Sequence, residues 1–263
     1  MWPCILYPRG FTRENRGPEM DHAFIMLAGI VLLAYTTQAL AGFGSVIISI
    51  TLAAHFYPIE FLLPVVVPLD ILLNIYIISR HHRHIQTRLL IKTILPLMML
   101  GLLIGIGLFQ HIQGERLKMA FGIFVVLVSV AQLIAVGKRL EMKTGMPPWA
   151  SGLLFFLGGI VQGIYASGGP IIVYAADRSN LAKAVFRSTL CALWIILNLV
   201  LVAAYVLTGK MSAETFKYHM LLLPVVIAAL FLGERLHDTI NEHQFKIFIY
   251  LILTMAGMSI IFG

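Results

Sequence analysis

Charge is what this sequence has least of. Only 12% of its 263 residues are Asp, Glu, Lys or Arg and 59% are hydrophobic, whereas a soluble domain carries about 25% charge. Too few polar side chains remain to wet a soluble surface, and Val, Ile, Leu, Phe and Met run in blocks too long for one-sided burial. Cysteine is nearly absent as well. Cys4 lies in the leader and Cys191 inside an apolar block, so no disulfide framework is expected. A Walker loop, an H-E-x-x-H motif and a nucleophile elbow are all missing, which removes ATP-driven pumping and intramembrane hydrolysis. Cys191 has no His on its own block to act as its base, so the chain is not read as an enzyme, and nothing in it calls for a cofactor. The cluster Arg80, His81, His82, Arg83 and His84 follows an apolar block directly, where it serves as a membrane anchor rather than as a metal site. The net charge of +7 comes from Lys and Arg in short segments between apolar blocks. It is an orientation signal, not a nucleic-acid patch.

What is present is a series of apolar blocks. They run over residues 23–41, 46–56, 59–79, 89–110, 119–136, 149–165, 171–176, 182–207, 218–232 and 245–262. A crossing needs about 20 residues at about 1.5 Å each, so the second and seventh blocks are half-helices or re-entrant pieces. The expected fold is an all-α polytopic membrane protein with about eight transmembrane helices. Both short pieces follow a glycine break, A-G-F-G at Ala41–Gly44 and A-S-G-G-P at Ala166–Pro170. One shift of the chain on itself superposes Gln38 on Gln162, Gly44 on Gly168 and Asn74 on Asn198; a slightly longer one superposes Pro96 on Pro224, Gly105 on Gly233 and Lys118 on Lys246. This predicts two repeated halves, 22–136 and 149–263, each with a broken or re-entrant first helix, joined by a cytoplasmic linker over 137–148. Residues 1–21 are expected to form a disordered or non-native extension, with Met20 an alternative start to Met1. With eight crossings and both ends cytoplasmic, Arg80, Arg83, Arg88, Lys92, Lys138, Arg139, Lys143, Lys210 and Lys217 fall inside, a thin excess over the outside. Should the breaks instead make complete hairpins, each half has an odd number of passes and the repeats are inverted. The sequence leaves both arrangements open.

Backbone that leaves the helix within hydrocarbon survives only against protein or a polar cavity. Matching breaks in two halves are therefore the strongest pointer to a transport site. At the second break Gly168 and Gly169 are read as freeing the backbone, Pro170 as opening a new helix, and its first N–H groups as facing the gap, where an oxyanion binds well. Close helix packing is the plainer role for such glycines. The candidate substrate site gathers Gln38, Gly42, Gly44, Ser45 and Asn74 from the first half with Gln162, Ser167, Gly168, Gly169, Pro170, Arg187 and Asn198 from the second. Thr36 and Ser49 are expected to bond to their own backbone four residues back. Asp70 stands one turn before Asn74 on the same face, and a mid-membrane carboxylate is a candidate for proton coupling. Arg187, Cys191, Trp194 and Asn198 make one helical stripe, read as a cavity wall in which Arg187 offers a guanidinium to an anion.

The strings Q-A-L-A-G-F-G in the first half, and G-G-I-V-Q-G-I-Y-A-S-G-G-P-I-I-V-Y followed by K-A-V-F-R-S-T in the second, resemble the TauE/SafE family of sulfite and organosulfonate exporters. The likeness extends from Ala23 to the C-terminus, although A-G-F-G lacks the longer glycine run of many members. It implies a secondary transporter in a bacterial cytoplasmic membrane, carrying sulfite, sulfoacetate or a related small anion outward. Gly168, Gly169, Pro170 and Arg187 stand at the family's motif positions, while Asp70 rests on the physical argument alone. Expected partners are a small anionic substrate and membrane lipid, with a homodimer as one assembly. The competing reading is a membrane-embedded binding or assembly subunit that transports nothing and uses the breaks for packing.

Overall fold

The computed structural model describes residues 19–112, 114–137, 147–176, 183–236 and 242–262, so most of the expected leader and linker lie outside the described residues. Every described element is helical. In order they are α1 (Glu19–Ala41), α2 (Ser45–Ala53), α3 (Ile59–His81), a 3-10 turn (His82–His84), α4 (Thr87–Leu89), a π-helical turn (Leu90–Ile94) and α5 (Leu95–His111), then α6 (Glu115–Gly137), α7 (Pro148–Tyr165), α8 (Gly169–Ala176), α9 (Lys183–Leu207), α10 (Ala213–Leu236) and α11 (Glu242–Phe262). Among the described residues seven helical stretches are long and apolar enough to span a bilayer, and α11 adds the shorter apolar stretch Ile247–Phe262. Leu127, Met255, Phe231 and Ile91 lie exposed on the outside of the bundle, as lipid-facing side chains must.

Aromatic packing and hydrogen bonds show which helix ends share a face. Phe24 of α1, Tyr57 before α3, Phe61 of α3 and Tyr218 of α10 form one cluster, the Tyr218 ring lying 5.9, 6.1 and 5.1 Å from the rings of Phe24, Tyr57 and Phe61. Glu60 accepts the Gly114 N–H at 2.7 Å, which brings the turn between α5 and α6 to the same side. At the opposite face the Tyr76 hydroxyl of α3 bonds to Glu234 near the end of α10, and Gln86 N–H donates to Thr189 near the start of α9. Thus α3, α6 and α10 run one way and α5, α9 and α11 the other.

Neither α1 nor α7 carries the chain across to stay. Tyr57, just past α2, is back in the aromatic cluster that holds Phe24 at the start of α1, so α1 and α2 form a hairpin. The second hairpin closes the same way: α8 returns along α7, and a Cβ on Gly158 would lie 3.2 Å from Ile172. Its tip reaches the N-terminal side, where Tyr165 donates to Leu117 O near the start of α6. The two hairpins enter from opposite faces. The eight apolar helices expected are present among the described residues, seven long ones and the shorter stretch of α11, and of the two arrangements that the sequence left open their packing favours the hairpins. The chain from α1 to α6 starts at one face and ends at the other, and the chain from α7 to α11 runs in the opposite sense.

The hairpins are held across the halves. α1 packs on α10, α7 on α5, α3 on α9 and α6 on α11. Between α5 and α7 the backbones touch: a Cβ on Gly101 or Gly105 would overlap the carbonyls of Phe156 or Ile160, and one on Gly159 or Gly163 those of Met98 or Leu102. Without an apolar drive between helices in lipid, such close approach is a main source of their association.

In α3, Pro64 and Pro68 lie inside the helix. Pro68 has no N–H for the carbonyl four residues back. His219 Nε2 meets that orphaned Pro64 oxygen at 3.0 Å, while Tyr35 donates to Val66 O at 2.6 Å. These bonds tie α3 to α10 and α1 immediately before Asp70.

Candidate functional site

The two hairpin tips meet at a polar cavity. In the first tip Gly42 and Gly44 adopt φ of 80° and 112°, left-handed values that a side chain resists. The second tip is built differently from expectation. Its left-handed residue is Ala166, at φ 49°, whereas Gly168 is required because a Cβ there would strike the Gly158 carbonyl. The plainer packing role thus explains Gly168, and Ala166 makes the turn.

Each tip is closed by a glutamine. Ser45 N–H at the start of α2 donates to Gln38 Oε1 at 3.0 Å, and Gly168 N–H before α8 donates to Gln162 Oε1 at 2.9 Å. A backbone N–H can only donate, so both amide orientations are determined. Gln38 Nε2 then donates to Asn74 Oδ1 at 3.2 Å and Gln162 Nε2 to Asn198 Oδ1 at 2.8 Å. Asn74 Nδ2 donates in turn to Asp70 O and to Asp70 Oδ2. Asn198 Nδ2 reaches the same Oδ2 at 2.8 Å, and the Ser45 hydroxyl donates to Oδ1 at 2.6 Å. Asp70 is 2% exposed. One carboxylate therefore gathers both tips and both halves, a role spacing along the chain did not reveal because Asn198 is brought to Asp70 only by the packing of α9 on α3.

The cavity has a volume of about 20 Å³. Gln38, Gly44, Ser45, Asp70, Gln162, Ser167, Gly169, Pro170 and Asn198 of the sequence-predicted set line it, joined by Phe43, Val46, Ile47, Ala166 and Trp194. The aromatic and aliphatic members are lining residues that the polar pattern missed, although Trp194 belongs to the predicted α9 stripe. Trp194 Nε1 donates to Gly42 O at 3.2 Å, holding the first tip. Gly42, Asn74 and Gly168 serve the tips from behind the lining. Arg187 also stands outside it, five positions into α9 from Lys183 and against Gly42, where a Cβ would come within 2.8 Å of its Cγ. The Arg187 Nε is buried with no partner among the described residues. Thr36 and Thr37 bond to Leu32 O and Leu33 O as the local account predicts, but Ser49 Oγ is buried with no hydrogen bond among the described residues.

The first intrahelical bonds of the half-helices are Ile48 N to Gly44 O and Ile172 N to Gly168 O. The N–H groups of Val46 and Ile47 precede the first of them, at the positive end of α2 and beside the cavity. The lining sets the Asp70 carboxylate among the amides of Gln38, Gln162 and Asn198 and the hydroxyls of Ser45 and Ser167.

Residues 27–260 match the family described as "Sulfite exporter TauE/SafE". The chain belongs to that family. TauE/SafE members are transporters, not enzymes, and the protein is a multi-pass membrane transporter. It is similar to the "Probable inner membrane transporter protein TsaS" of Comamonas testosteroni, with 23% identity over 171 residues that cover 65% of this chain and 70% of the relative. No solved structure matches it. Membership of a transporter family overturns the alternative of a non-transporting assembly subunit.

Proposed function

We propose that this TauE/SafE transporter exports a small oxyanion, sulfite or an organosulfonate such as sulfoacetate, through the cavity between the hairpin tips, with Asp70 coupling the movement to protons. The observation that carries the reading is the meeting of two helix interruptions, one from each half, at a single polar cavity deep in the bundle. Irregular backbone at that depth is tolerated where it lines a path. A volume of about 20 Å³ holds about one water, too little for the anion, which enters when the tips part. Arg187, between the cavity and the face opposite the N-terminal one, meets the anion on its approach with a guanidinium suited to sulfite and sulfonate oxygens.

In this reading the halves are inverted repeats that alternate about the cavity. Supporting it are the two matching relays, in which each Gln joins a tip N–H to an Asn of the third helix in its half. The membrane orientation follows from the hairpins. The face opposite the N-terminal one takes Arg80, Arg83, Arg88, Lys92 and Arg235, with Lys183 and Lys246 near the starts of α9 and α11. The N-terminal face takes Arg116, Lys118, Lys210 and Lys217. By the positive-inside rule the former is cytoplasmic, which reverses the placement expected for the chain ends. Lipid covers the exposed apolar side chains, and a homodimer is the further partner expected from the sequence.

Purified protein in liposomes is expected to carry sulfite or sulfoacetate, with flux lost in Arg187→Ala and in Gly168→Leu. Flux unchanged in both variants would remove the proposed path.

A further inference from the structure

The hydrogen-bond polarity around Asp70 bears on where a proton can enter and what that does to the cavity. Oδ2 has two in-plane lone pairs, and both are engaged, one by Asn74 Nδ2 at 2.7 Å and one by Asn198 Nδ2 at 2.8 Å. Neither amide can turn round to relieve it. Each uses its carbonyl to receive a glutamine Nε2, and each glutamine carbonyl is held by a backbone N–H that has no alternative role. A proton arriving at this carboxylate therefore finds Oδ2 closed and takes Oδ1.

Oδ1 has a single partner among the described residues, the Ser45 hydroxyl at 2.6 Å. A hydroxyl donates once and accepts twice. While Asp70 is ionised, the Ser45 hydrogen is spent on it. Once Oδ1 carries a proton, the acid becomes the donor and Ser45 Oγ the acceptor at the same separation, and the serine hydrogen is released. Ser45 is fully buried and lines the cavity, so the released hydrogen is free to turn towards it.

We propose that Ser45 is the element that links proton to anion: protonation of Asp70 at Oδ1 reverses the Ser45–Asp70 hydrogen bond and presents the serine O–H to the anion in the cavity. This deepens the transport reading above and rests on it. The proton moves from water to Asp70 Oδ1 and back, no covalent bond to the anion forms, and Asn74, Asn198, Gln38 and Gln162 act as positioning residues that keep Oδ2 closed. The titratable groups facing Asp70 from the packed helices are Tyr35 of α1, whose hydroxyl is engaged by Val66 O, and Cys191 of α9. No Lys or Arg is among the residues lining the cavity. Without the proton, an anion would meet a carboxylate across one small space and no free hydroxyl. With it, charge repulsion falls and a donor appears in the same step.

Sulfoacetate is the probe of choice for the purified transporter, because its own groups stay ionised near neutral pH and any proton taken up belongs to the protein. Calorimetry in buffers of different ionisation enthalpy is expected to show about one proton taken up per sulfoacetate bound, and none in Asp70→Asn. Infrared difference spectra should show a carboxylic acid C=O band appearing on binding, absent in Asp70→Asn, shifted in Ser45→Ala and restored by Ser45→Thr. Affinity should fall about ten- to a hundredfold in Ser45→Ala, the worth of one hydrogen bond to a charged group, and recover in Ser45→Thr. A C=O band unmoved by Ser45→Ala would place the proton away from Oδ1 and overturn the proposal, as would binding to the wild type with no proton uptake. Failure of the wild type to bind either sulfoacetate or sulfite would instead defeat the transport reading itself, and the link with it.

Discussion

Replacing Gly163 by alanine tests the contact that holds the second hairpin to the first half. A Cβ at this position would overlap the Leu102 carbonyl oxygen and lie 2.7 Å from Gly105 Cα and 2.8 Å from Ile106 N. All three neighbours are backbone, so no side-chain rotation relieves the crowding, and α7 must move off α5 by about 1 Å to restore ordinary van der Waals spacing. Overpacking of this kind costs about 1–3 kcal/mol, against a helix-propensity gain of about 1 kcal/mol for Gly→Ala. Gly107→Ala is the matched control. It lies on the same helix as Gly105 with nothing within 4 Å of a new Cβ, and it keeps the propensity gain alone. The two variants should differ by about 1–3 kcal/mol, or on the order of 6 °C in thermal unfolding of the detergent-solubilised protein. The corresponding place in the other half already pairs Ala39 with Gly233. A cost at the low end would mean that the α5–α7 seam relaxes to that spacing, and Gly105→Ala combined with Gly163→Ala should then be worse than either alone. Equal shifts for Gly163→Ala and Gly107→Ala would refute the claim that close backbone approach is what these glycines supply.

The Lys210 ammonium, in the turn between α9 and α10, lies 3.6 Å from the centre of the Phe109 ring, and burial pushes it down to about 8 while Glu60 opposes the change. Between about 8 and the usual lysine value of about 10.4 the unfolded chain binds more protons than the folded one, so stability rises with pH across that window; Lys210→Met should flatten the rise in detergent melts, and an unaltered slope counts against it. In a background with Cys4 and Cys191 replaced, Thr208→Cys on intact cells should react with a membrane-impermeant thiol reagent, whereas Ser79→Cys should react only after permeabilisation; the opposite pattern reverses the orientation. Ala166→Gly removes a left-handed alanine worth about 1–2 kcal/mol of strain and adds about 0.5–1 kcal/mol of chain entropy cost, so a small rise in melting temperature is expected, and a clear fall would show that the Ala166 side chain holds the tip.

Much of this protein was settled by its sequence alone. Twelve per cent charge and long apolar blocks place it in a membrane, since nothing soluble can be assembled from them. The two short blocks behind Gly42 and Gly168 betray interrupted helices, because a half-length apolar segment cannot cross. The strings around Gln38, Gln162 and Arg187 point to the family that residues 27–260 match. Three things required tertiary structure. Whether a short block continues its neighbour or doubles back depends on what it packs against, and Tyr57 beside Tyr218 decides for a hairpin. Which polar residues form one unit depends on helices far apart in the chain, for only the packing of α9 on α3 brings Asn198 to Asp70. Finally, a helical stripe gives direction but not depth. Arg187 and Asn198 share such a stripe, yet the hairpin tip lies between them, so one lines the cavity and the other stands outside it.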